Sequence, residues 1–275
     1  MQKQESNITI SLDEEISDFD KSTFEVKDHL APEIWESEDF LQRGIKDALT
    51  KIAKDFFEKL DLEGVEIEDI VMTGSLANYN WSEYSDVDVH IILDFNNVDE
   101  NTALVKNFFN AKKNLWNRMH EILIKGYEVE MYVQDKNEPH TSTGIYSLLQ
   151  NAWLVKPSIK MVEMNWEDVS LKAESLIGQV DDLKEMFEKN QGYEVYLGAE
   201  RLLERIKRFR QAGLESGGEF SVENITFKVL RRTGVVGDLM ELRNDAYDKS
   251  LSINSSPDSP PEHGYSPTPP HLFES

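Results

Sequence analysis

Apolar residues recur along this chain with two distinct periods. In "ESEDFLQRGIKDALTKIAKDFFEKL", Leu41, Ile45, Leu49, Ile52, Phe56 and Leu60 fall at helical spacing, which predicts an amphipathic helix over 37–60. The period then shortens. "VEIEDIVMTG" reads as a strand ending at Gly74, and "DVDVHIILDF" (86–95) as a second strand of alternating acidic and apolar positions. "NTALVKNFFNAKKNLWNRMHEILIKG" (101–126) returns to helical spacing and closes on Gly126, and "YEVEMYVQD" (127–135) alternates again. Helix, strand, strand, helix, strand in this order predicts an α/β (α+β) sheet domain. From about Thr143 the pattern becomes helical through "GIYSLLQNAW", "DVSLKAESLIGQVDDLKEMFEKN", "VYLGAERLLERIKRFRQA" and "FKVLRRTGVVGDLMELRNDAYDKSLS". The expected organisation is an acidic N-terminal arm (1–30), a mixed-sheet core (31–143), a helical domain or layer (144–252) and a Pro/Ser-rich tail (253–275). Pro157 is the expected junction.

Composition narrows the setting. There are no cysteines, hence neither a disulfide framework nor a thiolate metal site. No run of about 18 apolar residues is present and the N-terminus lacks an apolar signal core, so a cytoplasmic protein without a membrane span is expected. The net charge of -23 repels phosphate backbones at long range and disfavours bulk nucleic acid as a partner. Residues 1–40 hold twelve acids against three lysines and read as a solvated arm. The tail contains six of the nine prolines, and Pro267 and Pro270 satisfy PxxP spacing; both the tail and the helical region are candidate surfaces for a protein partner.

The acidic strand carries the chemistry. Asp86, Asp88 and His90 share one face, while Val87, Val89 and Ile91 face the core. A rise of about 3.3 Å per residue separates the two carboxylates by roughly 6–7 Å along the strand. Burying like charges is costly unless a cation meets them. Oxygen-only donors suit Mg²⁺, with Mn²⁺ as the alternative, and such ions commonly also carry substrate phosphates. In "YEVEMYVQD", Glu128, Glu130, Tyr132 and Gln134 again share a face, and an acid there can join the site. Gly74 permits close backbone approach to a phosphate, and Ser75 adds a hydroxyl ahead of "LANYN", which could open a short helix.

Taken together, a strand ending in Gly-Ser, a spacer of ten residues, Asp-Val-Asp-Val and an acid on a later strand resemble the nucleotidyltransferase superfamily, the polymerase-β-like fold. The resemblance covers residues 67–134, about a quarter of the chain. The chain is also similar to nucleotidyltransferase-type proteins of tailed-phage genomes. The resemblance implies Mg²⁺-dependent transfer of a nucleoside monophosphate from a nucleoside triphosphate to an acceptor hydroxyl, releasing pyrophosphate. By position, Gly74 and Ser75 match the triphosphate-gripping turn, and Asp86 and Asp88 match the metal-binding aspartates. Glu130 matches the third carboxylate, with Glu128 as competitor. Small antitoxin-type members often follow Gly-Ser with an arginine-bearing turn; "GSLANYN" has no cation.

Further candidates each have a plainer reading. Ser85 can meet a phosphate or cap the strand end, and His90 can touch substrate or sit at the core edge. Ser142 or Thr143 can cap a helix beginning near Gly144, bringing His140 and Tyr146 to the nucleotide; a capped helix with a core tyrosine explains the same residues. Arg201, Arg205 and Arg208 form a helical stripe that binds an anion or pairs with Glu200 and Glu204. Lys112, Lys113 and Arg118 are similar. Two competing functions remain beside the transferase: a non-catalytic nucleotide-binding or regulatory module of the same fold, and a metal-dependent phosphohydrolase, which would usually bring more histidines near the acids. The acceptor is a small molecule or a protein in preference to nucleic acid.

Overall fold

A computed structural model describes residues 21–139, 142–159, 162–189 and 191–252. They form two compact units that divide between Met164 and Asn165. The first is a mixed α+β unit built on a six-stranded sheet. A small antiparallel pair, β1 (Trp35–Ser37) and β2 (Phe40–Leu41), leads into α1 (Ile45–Glu58). Then come β3 (Asp69–Thr73), β4 (Val87–Leu93), α2 (Thr102–Met119), β5 (Leu123–Ile124), β6 (Tyr127–Asp135), β7 (Ile145–Ser147) and β8 (Ala152–Val155). The strand order is β5-β6-β4-β3-β7-β8. Only β4 and β6 run parallel, with α2 as their crossover; all other pairs are antiparallel.

One face of this sheet is dry. Ile70, Met72, Val87, Val89, Ile91, Leu93 and Met131 all lie in the core with Leu49, Ala53 and Phe56 of α1 and Val105 and Phe109 of α2. The period-2 pattern of β4 and β6 obliges their alternate residues to the other face, so Asp88, His90, Glu130 and Tyr132 lie together there, only partly buried. α2 closes the outer edge of β6: the Asn117 amide donates to the Met131 carbonyl (3.2 Å) and accepts from the Met131 N–H (3.0 Å), standing in for a neighbouring strand.

Two expectations are corrected in this unit. The first helix starts at Ile45, not near 37, because Gly44 is left-handed (φ 86°) and Trp35 is drawn into a strand. Trp35 stacks on Trp153 at 4.6 Å and donates its indole N–H to the Leu76 carbonyl (2.7 Å). Likewise "GIYSLLQNAW" is not helical. It supplies β7 and β8, with the Ser147 hydroxyl donating to the buried Asp69 carboxylate (2.8 Å), so the sheet unit continues past Thr143.

The second unit is helical: α3 (Trp166–Glu188), α4 (Gly192–Gly217), α5 (Val222–Arg232) and α6 (Val235–Leu251). Asn165 and Ser221 cap α3 and α5, accepting from the N–H groups of Asp168 and Asn224. The last expected helical stretch is broken at Thr233–Gly234 into α5 and α6. Among the described residues no helix is long and apolar enough to cross a membrane. The tail expectation, including Pro267 and Pro270, and most of the N-terminal arm lie outside the described residues.

Candidate active site

The site grows out of one row across three strands. β3 and β4 pair Thr73 with Asp88, and β4 and β6 pair Asp88 with Glu130. The next row joins Val71, His90 and Tyr132. Asp86 precedes the first residue of β4, and Glu128 stands one pleat before Glu130 on β6. Four carboxylates therefore occupy the start of two adjacent strands, each of them half-buried.

Gly74 joins this acidic end to the turn after β3. Its backbone (φ 79°, ψ −164°) belongs to a region that side-chain-bearing residues avoid. A Cβ built there would stand 1.9 Å from Oδ2 of Asp88, so the carboxylate lies directly on the glycine. Ser75 opens a short 3-10 helix of three residues, Ser75–Ala77, so the short helix expected here begins at Ser75 and ends within "LANYN". Its hydroxyl donates to Oγ of Ser85 (2.7 Å), which also accepts from the Ser82 N–H (3.0 Å). The loop between Gly74 and Asp86 is thus closed on itself, and Gly74, Ser75, Ser85 and Asp88 are brought together. The turn is locked from behind: a Cβ on Gly144 would come within 1.9 Å of the Ala77 carbonyl oxygen, and the Asn78 amide donates to the Thr143 hydroxyl (2.6 Å).

Negative charge accumulates here. Burial first, then Asp86, Glu130 and Glu121, push the Glu128 carboxyl above its usual range. The Tyr132 phenol is raised by burial first and then by Asp88 and Glu130, so it stays protonated and donates to Oε2 of Glu130. Its ring stacks on His90 at 4.7 Å and 14°, and the Lys113 ammonium stands 4.6 Å from the ring centroid. His90 Nδ1 lies 3.1 Å from Oε1 of Gln134. Beyond this pair a cleft of about 380 Å³ opens, lined by Thr73, His90, Tyr132, Gln134, Lys106 and Asn110. Lys106 bridges to Glu138 at its rim.

As a donor set, Asp86, Asp88 and Glu130 offer only carboxylate oxygens, which fit a hard divalent cation and no soft one. Among the described residues, however, no three acidic or histidine side chains are already gathered into a metal-binding group. Glu130 is turned toward Tyr132, although a carboxylate has a second oxygen with which to meet a cation.

Two nucleotide-contact expectations fare differently. His140 lies outside the described residues. Tyr146 is fully buried in the middle of β7, edge-on to Trp35 and Trp153, with its hydroxyl donating to the Asp39 carbonyl (3.2 Å). A nucleotide cannot reach it. Of the arginine stripe of α4, Arg208 pairs with Glu204 (3.8 Å) as the plainer reading has it, whereas Arg205 donates to Gln179 and Glu200 accepts from Arg243, outside the stripe (3.2 Å). Tyr132 and Lys113 were named in the sequence only as a face-sharer and as one of three basic positions. The available signal was the spacing of Lys106, Asn110, Lys113 and Asn117, which share one face of α2.

Comparison with known proteins agrees with this geometry. No curated protein and no solved structure matches the chain. A family model described as a nucleotidyltransferase domain matches residues 49–150, a span that runs from within α1 to just past β7 and contains the glycine turn and all four carboxylates. Over that span, somewhat more than a third of the chain, the protein is therefore similar to a nucleotidyltransferase domain.

Proposed function

We propose that this domain transfers a nucleoside monophosphate from a nucleoside triphosphate to an acceptor hydroxyl, with release of pyrophosphate and dependence on Mg²⁺ or Mn²⁺. The observation that carries the reading is the contact of Gly74 with Asp88 in the same row as Glu130. It joins a bare turn, where a phosphate can approach main-chain atoms, to carboxylates of the kind that bind a hard divalent cation. Asp86 and Asp88 would hold the cation, with Glu130 as third ligand and Glu128 as its competitor. A bound divalent ion would neutralise triphosphate charge and polarise the α-phosphate. The rest falls to the chain itself: Gly74 keeps the approach open, Ser75 and Ser85 offer hydroxyls to the phosphates, and Glu130 orients the acceptor and takes its proton. With a net charge of -23, a small molecule or a protein suits the surface better as acceptor than bulk nucleic acid.

Thermal unfolding of the wild type and of Asp86→Asn/Asp88→Asn, with each nucleoside triphosphate and with or without Mg²⁺, tests this. A ligand at 100 times its Kd adds about 2.7 kcal/mol. One triphosphate should stabilise the wild type only with Mg²⁺, and the double variant should lose that response. No response to any triphosphate under any metal condition would remove the reading.

A further inference from the structure

The base position of the proposed reaction already holds a hydroxyl, and it belongs to the protein. Tyr132 donates its phenolic O–H to Oε2 of Glu130, two residues earlier on the same strand face. The ring has little freedom. His90 stacks on it, the Lys113 ammonium stands against the ring, and His90 is itself tied to Gln134. The strand beneath is fixed in turn, because Asn117 grips the main chain of Met131, between Glu130 and Tyr132. A nucleophile within hydrogen-bond reach of its base, and a base in register with Asp88, is the arrangement of an activated nucleophile beside the acidic row.

We propose a further activity: the protein nucleotidylates itself on the Tyr132 hydroxyl. This rests on the function proposed above. The phenolic oxygen forms a bond to the α-phosphorus of the nucleoside triphosphate. The α–β phosphoanhydride bond breaks, its electron pair leaves with pyrophosphate, and the phenolic proton passes to the Glu130 carboxylate. The product is a phosphodiester linking Tyr132 to a nucleoside. The cleft beside Tyr132, at about 380 Å³, has the volume of a small-molecule site, and its Asn110 amide offers both donor and acceptor atoms to a nucleoside.

The test uses the full chain incubated with Mg²⁺ and each of the four common ribonucleoside triphosphates in turn. Intact mass spectrometry reads whether the chain gains one nucleoside monophosphate, and peptide mapping reads where. Thermal unfolding is followed in parallel on the same mixtures. The expected result is one added nucleotide on the peptide carrying Tyr132, absent from Tyr132→Phe and removed by a phosphodiesterase. Mapping on the wild type keeps the test valid if Tyr132→Phe folds poorly. A triphosphate that stabilises the chain without any gain in mass overturns self-modification while leaving the transferase reading intact. Modification mapped to another residue overturns it too. If no triphosphate stabilises the chain and no mass is gained, both readings fall together.

Discussion

Replacing Gly74 by alanine tests whether turn and carboxylate act as one device. The backbone at φ 79° and ψ −164° is a conformation kept almost wholly to glycine, and a side chain there costs about 1–3 kcal/mol. The new Cβ would also stand 1.9 Å from Oδ2 and 2.9 Å from Cγ of Asp88, so either the carboxylate swings away or the turn moves. Overpacking of this kind adds about 1–3 kcal/mol. The combined loss of about 2–6 kcal/mol is large against a domain stability of about 5–15 kcal/mol. With an m-value of about 2 kcal/mol/M, it lowers the urea midpoint by about 1–3 M. Tryptophan fluorescence reports the right unit, since Trp35, Trp81, Trp116 and Trp153 lie in the sheet unit and Trp166 alone in the helical one. Gly44→Ala is the control. It has a similar φ of 86° but nothing within 4 Å of its Cβ, so it should lose only about 1–2 kcal/mol. The response to Mg²⁺ and triphosphate should vanish in Gly74→Ala and survive in Gly44→Ala. If the two variants lose the same stability and both keep the response, the contact with Asp88 has no functional weight and the reasoning fails.

Two further outcomes are expected. Glu130→Gln should slow pyrophosphate release by about 10²–10⁴-fold, as loss of a general base does, while Glu128→Gln stays within about tenfold. Relief from its acidic neighbours should make Glu128→Gln more stable than wild type without metal, by no more than about 1 kcal/mol after solvent screening; the opposite rate pattern would reassign the third carboxylate. In the helical unit, burial holds the Lys228 ammonium down to about 8, with Arg232, Arg231 and Arg210 adding and Glu219 opposing. A lowered lysine binds its proton more weakly folded than unfolded, so its cost is full below pH 8 and fades as pH rises toward its ordinary 10.5. Lys228→Met should therefore stabilise at pH 7 by about 1–3 kcal/mol, taking the lower end because the residue is only partly buried, and should flatten the rise in stability between pH 8 and 10.5. Urea unfolding followed by far-UV circular dichroism reads both, and an unchanged or lower stability at pH 7 would contradict it.

What could be read from the sequence follows from which interactions are local. β4 and β6 were legible because alternation with period 2 is written into the chain, and "YEVEMYVQD" is β6 to the residue. β7 and β8 were not, since short apolar runs satisfy helix and strand alike. Their strand state is decided by pairing with β3 and by the buried Asp69, both distant in sequence. That one misreading also accounts for Tyr146: at a helix start it could reach a ligand, whereas between β3 and β8 it is enclosed. Register is equally non-local. Alternation put Glu128 and Glu130 on the correct face but could not say which of them meets Asp88.

The register has a further consequence for why the acids are there at all. A sheet with one fully dry face needs only solvated polar residues on the other, and threonine or lysine would satisfy the same alternation. This chain instead sets Asp86, Asp88, Glu128 and Glu130 on neighbouring strands about 5 Å apart, where each close pair of charges repels by about 1–3 kcal/mol. Lys113, on the neighbouring helix, is held over the Tyr132 ring. Left alone, such a cluster weakens the fold that carries it. A divalent ion arriving with a triphosphate reverses the sign of that contribution, so neutralising the aspartates should separate the two states in opposite directions. Asp86→Asn/Asp88→Asn is then expected to unfold at higher temperature than wild type without metal, and at lower temperature once Mg²⁺ and the preferred triphosphate are present.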